Sequence, residues 1–124
     1  MLDLKVPNVN DRERIPMVAI QAVADHIAQK FKPDKIILFG SHAYSDPKPW
    51  NDVDLLVVMD TPEGDWPPTL AILRSLSPFR FGIDILVRSY AELERRIGLG
   101  DWFVEDVVTK GKVLYARIDG RVGG

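Results

Sequence analysis

Three aspartates define the chemistry this sequence offers. Asp52 and Asp54 open the apolar run NDVDLLVV, and Asp84 interrupts a second one, GIDILV. Side chains alternate between the two faces of a strand, so Asp52 and Asp54 point the same way, together with Leu56 and Val58. Val53 and Leu55 point the other way. If the two runs form neighbouring strands and Asp84 shares that face, three carboxylates converge. Three negative charges in one partly buried place are unfavourable unless protons or cations neutralise them. Hard divalent cations take oxygen ligands, and Mg²⁺ commonly combines one or two carboxylates with water and substrate phosphates. Asp52 and Asp54 suit the metal; Asp84 suits a second metal, or a general base for an attacking hydroxyl. A bare D-x-D is more often structural than catalytic. Asp52 as a turn residue, Asp54 as a solvated edge residue and Asp84 in an ion pair with Arg80 or Arg88 are the competing readings.

The second feature precedes the aspartates. Gly40-Ser41 follows the apolar run Lys35 to Phe39 and opens a short helix over Ser41 to Tyr44. A turn without a Cβ, followed by a hydroxyl at a helix start, presents backbone N–H groups and an Oγ to an anion such as phosphate. An ordinary strand-ending turn is the plainer reading of the pair alone. Neither a Walker loop nor a G-x-G-x-x-G fingerprint occurs in the sequence.

The elements that must hold these residues are legible from periodicity and punctuation. A helix is expected over Arg14 to Phe31, with Pro16 in its first turn. Strands are expected over Lys35 to Phe39, Asp52 to Met59, Arg80 to Arg88 and the terminal KVLYA. Helices are expected over Pro68 to Leu76, after Ser89 with Glu92 completing a capping box, and from an Asp101 cap through Lys110 with Gly111 beyond it. The alternation describes a mixed α/β (α+β) domain, a small sheet flanked by helices. The domain is expected over residues 14–116, after a lead-in over 1–13 and before a flexible Gly-rich tail over 117–124.

Composition narrows the class. The 124 residues suit one domain, carry a formal net charge of −2 and include no cysteine. Disulfides and thiolate metal sites are thereby excluded, and a reducing, cytoplasmic setting is expected. The charge balance gives no strong nucleic-acid signature, and no apolar run approaches the roughly 20 residues of a membrane span. His42 reads as a partly exposed loop residue and His26 as a core or boundary histidine. Trp50 could stack on a base or pack its loop, Lys48 could reach a phosphate or simply be solvated, and Trp66 and Trp102 read as structural or interfacial.

Taken together, LFGSHA, NDVDLLVV and GIDILV resemble the nucleotidyltransferase superfamily that includes DNA polymerase β, in particular its minimal nucleotidyltransferase (MNT) branch. The resemblance covers roughly Val18 to Tyr115. It implies the polymerase β-like fold, a triphosphate held by Gly40 and Ser41, and metal ligation by Asp52, Asp54 and Asp84. It also implies transfer of a nucleoside monophosphate, AMP from ATP, to an acceptor hydroxyl with two Mg²⁺ ions. The chain departs from the usual pattern after the Gly-Ser pair, where it reads His42-Ala43-Tyr44-Ser45, and before Asp52, where Asn51 replaces the common serine. Little sequence remains after VLYA for an acceptor domain, so the acceptor is expected from a partner. In the MNT branch that partner is a HEPN-domain toxin, which the MNT antitoxin silences by AMPylation. The alternatives are an antitoxin that neutralises by binding alone, and an aminoglycoside-type enzyme acting on a small molecule. An apolar patch from Trp102, Phe103 and Val107 would favour a partner interface, and oligomerisation is compatible with the sequence.

Overall fold

The computed structural model describes residues 15–44, 47 and 51–117. The expected lead-in, the tail beyond Arg117, Lys48 and Trp50 lie outside the described residues. Helix α1 (Met17–Phe31) leads into β1 (Lys35–Phe39), the short helix α2 (Ser41–Tyr44) and β2 (Val53–Val58). Helix α3 (Trp66–Ser75), β3 (Ile83–Arg88), α4 (Tyr90–Gly98), α5 (Trp102–Lys110) and β4 (Lys112–Ala116) complete the fold. The strands form one mixed sheet in the order β3-β2-β1-β4, with β1 antiparallel to β2 and β4, and β2 parallel to β3. The α/β class expected from the alternation is the one observed.

Strand alternation divides the core into two layers. Ile36 and Leu38 of β1, Val53, Leu55 and Val57 of β2 and Val87 of β3 face α1 and α3, meeting Ile20, Val23, Ile27 and Ile72. Ile37, Leu56 and Val58 project from the opposite face and meet Leu93 of α4 and Val104 and Val107 of α5. Strand β2 is apolar on both faces because helices cover both, α1 and α3 on one and α4 and α5 on the other. Its one polar residue, Asp54, lies near its N-terminal end, on the face opposite the buried Val53.

Several boundaries differ from the expectation, each for a local reason. Helix α1 starts at Met17 because Pro16 adopts φ −71°, ψ 150°, an extended N-cap rather than a first-turn position. Strand β3 starts at Ile83, after a turn region that includes Pro78 and Gly82. The Ser89 hydroxyl caps α4 by accepting from the Glu92 N–H at 3.1 Å, but the reciprocal half of the box is not made. Glu92 instead accepts from Arg95 and Arg96 at 2.8–3.1 Å, because a charged partner outcompetes a backbone amide for the carboxylate. Asp101 caps α5 through the Val104 N–H at 3.2 Å. Replacing Ser89 by Ala removes one such cap and is expected to lower stability by about 1 kcal/mol in a denaturant titration.

Candidate active site

Asp54 occupies the second position of β2 and pairs in register with Phe39 of β1 on one side and Asp84 of β3 on the other. Parallel partners in register present their side chains on the same face, so Asp54 and Asp84 stand side by side. Asp52 lies just before the strand, two residues from Asp54. Asp52 and Asp84 are exposed and Asp54 is half-buried. Burial, then the charge of Asp84 and its hydrogen bond, then the charge of Asp52, raise the Asp54 carboxyl from 3.8 to about 6. Arg88, one expected ion-pair partner for Asp84, instead donates to Asp65 at 3.2 Å.

Two glycines make room for these carboxylates. A Cβ at Gly40 would collide with the Asp54 carboxylate, and Gly40 also has φ +77°. A Cβ at Gly82 would collide with the Asp52 carboxylate. Gly40 thus packs directly against Asp54 and brings Ser41, the first residue of α2, beside it. The helix begins with the Gly40 carbonyl accepting from Ala43 and Tyr44 at 3.0 and 3.1 Å. Tyr44 stands next to this cluster. Burial, and the charges of Asp106 and Asp54, raise its phenol against a lowering contact with the Gly40 backbone.

His42 is not the partly exposed loop residue expected. It is buried, and its Nε2 lies 2.9 Å from the Asn51 carbonyl oxygen. Gly82 has a signal in the sequence as well, since a glycine interrupting RFGIDILV marks close backbone approach. His26 is indeed a boundary residue, packed edge-on against Phe79 at 5.6 Å. Trp66 and Trp102 are among the most exposed large apolar side chains.

A cavity of about 90 Å³ lies on the carboxylate face, further along the sheet. Leu56 and Leu86, each two residues beyond an aspartate, are among its lining, with Phe103, Arg88 and Arg96. Leu99 and Trp102, 72% and 74% exposed, and the half-exposed Phe103 lie in the α4–α5 region. Val107 does not join that surface, since it is buried against the sheet.

Among the described residues, no three His, Cys, Asp or Glu side chains stand ready as a metal cage. The donors nevertheless fit a hard cation. They are all carboxylate oxygens, and burial beside Asp84 and Asp52 already favours a proton on Asp54. A divalent ion can replace that proton, with water and phosphate completing its shell.

The fold and the clustered carboxylates define a nucleotidyltransferase-type domain. The chain belongs to the nucleotidyltransferase domain family, whose match spans residues 20–118. Its fold is similar to the crystal structure, at 1.40 Å, of a Sulfolobus solfataricus protein described as a candidate nucleotidyltransferase. The TM-score is 0.58 at 20% identity, over 86% of this chain and 85% of that one. None of the curated proteins matches the sequence. Among the described residues, no helix is long and apolar enough to cross a membrane.

Proposed function

We propose that this domain transfers a nucleoside monophosphate, AMP from ATP, to a hydroxyl of a protein partner, as the antitoxin of a HEPN/MNT-type pair. The observation that carries the transferase reading is the register Asp54–Asp84 beside Gly40-Ser41, with Asp52 at the same mouth. Asp52 and Asp54, with Asp84, would hold divalent ions, Mg²⁺ by donor type, which neutralise triphosphate charge and polarise the reacting phosphate when bound. The Gly40-Ser41 turn would hold the triphosphate. The acceptor oxygen bonds to the α-phosphorus, the bond from that phosphorus to the bridging oxygen breaks, and pyrophosphate departs. The hydroxyl proton passes to a carboxylate of this mouth; Asp84, exposed on the edge strand, can serve there as that base or as a ligand of the second ion. Positioning and electrostatics supply most of the rate in such transfers.

A protein acceptor is supported by the exposed Leu99, Trp102 and Phe103 in the helical region beside the carboxylate face. The same surface would serve an antitoxin that only binds. A thermal-shift titration with ATP, with and without Mg²⁺, separates the two. A ligand at a hundred times its dissociation constant stabilises the folded state by about 2.7 kcal/mol. The expected result is a Mg²⁺-dependent rise in Tm, absent from Asp52→Asn/Asp54→Asn when each protein is compared with its own ligand-free form. Neutralisation of the toxin by that double variant, with the toxin bearing no adenylyl group, would favour the binder.

A further inference from the structure

His42 is the buried polar side chain among the described residues, with 4% of its surface exposed. It directly follows Ser41 in α2, and its Nε2 sits 2.9 Å from the Asn51 carbonyl oxygen. A carbonyl oxygen only accepts, so Nε2 carries the proton and donates it. The β1–β2 ladder ends at the pair Phe39–Asp54. The His42 bond lies beyond that last pair and ties α2 to the residue immediately before Asp52.

We propose that His42 is a positioning residue, setting the separation between the Gly40-Ser41 turn and the Asp52–Asp54 carboxylates. The inference rests on the transferase reading, in which the turn holds the triphosphate and the carboxylates hold the metal ions. Both halves of the site must engage one Mg²⁺–ATP complex at once, so an error in their spacing weakens the complex without removing any ligand. Displacements of about 1 Å at reacting centres cost on the order of 10²-fold in rate. The ladder constrains the β-strand end of this unit; the imidazole constrains the loop end. The ring side of the bond is buried and the carbonyl side half-buried, which limits the alternative geometries a fully exposed contact would sample.

Three substitutions separate the hydrogen bond from the volume of the ring. In His42→Gln the amide nitrogen reaches about as far as Nε2. In His42→Asn it reaches only as far as Nδ1, and His42→Phe fills the space without a donor. Mg²⁺–ATP affinity is measured by calorimetry well below the lowest unfolding midpoint of the set. Asn and Phe are expected to weaken binding by about tenfold, the scale of one hydrogen bond. Gln is expected to retain wild-type affinity within about threefold. Equal affinity in all variants would overturn the proposal, as would a Gln variant that falls with the other two. Wild type that binds no Mg²⁺–ATP would overturn the transferase reading and this inference with it, an outcome distinct from loss in the variants alone. Where a variant fails to fold, ¹⁵N NMR of the wild-type imidazole decides. A solvent-protected Nε2 proton is expected, and an Nδ1-protonated or freely exchanging ring would overturn the assignment.

Discussion

Asp54→Asn is expected to abolish nucleotidyl transfer while making the metal-free protein more stable at neutral pH. The Asp54 carboxyl is raised from 3.8 to about 6 in the folded chain, so the folded state holds its proton more tightly than the unfolded state does. A raised carboxyl contributes stability below the unfolded value, near pH 4, and loses it as pH climbs through about 6. Above that, the ionised group faces Asp84 and Asp52 and is a net liability. Solvent reaches the half-buried group, which reduces the effect to about 1 kcal/mol at pH 7. For a domain of this size that corresponds to a rise of roughly 3–6 °C in Tm. The check is a pair of Tm-against-pH curves in chelator: wild type should decline between pH 4 and 7 by more than Asp54→Asn. Adding Mg²⁺ should recover stability above pH 6 in the wild type and do less in the variant. Activity should fall by at least about 10²–10³-fold, the scale of losing one electrostatic stabiliser of a transition state. Greater stability with lost activity is the signature of a group retained for chemistry.

Gly40→Ala and Gly82→Ala should both damage the reaction, but only the first should strongly damage the fold. At Gly40 the added methyl meets the Asp54 carboxylate, and the φ of +77° is itself unfavourable for alanine. The backbone conformation alone costs roughly 1–2 kcal/mol, and Asp54 sits in a strand paired on both sides. At Gly82 the methyl meets Asp52, which is exposed at the strand's mouth and can swing into solvent. Gly82→Ala should therefore stay within about 1 kcal/mol of wild type. Its transfer rate should drop by about 10²-fold, because a displaced ligand misplaces what it holds. Gly98→Ala is the control: nothing lies near its added Cβ at the end of α4. Denaturant midpoints and initial rates on the three variants check the pattern. Equal activity in Gly82→Ala and Gly98→Ala would remove Asp52 from the site.

Local patterns carried much of this structure. The spans Lys35–Phe39, Ser41–Tyr44 and Lys112–Ala116 are as the sequence indicated, and Ser89 and Asp101 cap the helices that they precede. The two-residue spacing of Asp52 and Asp54 is legible within one segment, although β2 begins only at Val53, after Asp52. Such signals are legible because periodicity, turns and caps depend on residues only a few positions apart. What periodicity reports is the face of an element, never its neighbour. The parallel pairing of β2 with β3 places Asp84 opposite Asp54, and that choice depends on how α3 packs between them in sequence.

The same reason accounts for the misses. His42 read as partly exposed because a histidine after a turn has no apolar pattern around it; it is buried because its ring finds the Asn51 carbonyl across the loop. Val107 read as part of a surface because α5 could be given a face but not a partner; it is buried because that face lies on Ile37 and Leu56. The sequence by itself determined the strands, the caps, the glycine-serine turn and the two-residue spacing of Asp52 and Asp54. Tertiary structure decided the third carboxylate's register, the glycine clearances and the buried imidazole, because each depends on two segments distant in the chain meeting at one point.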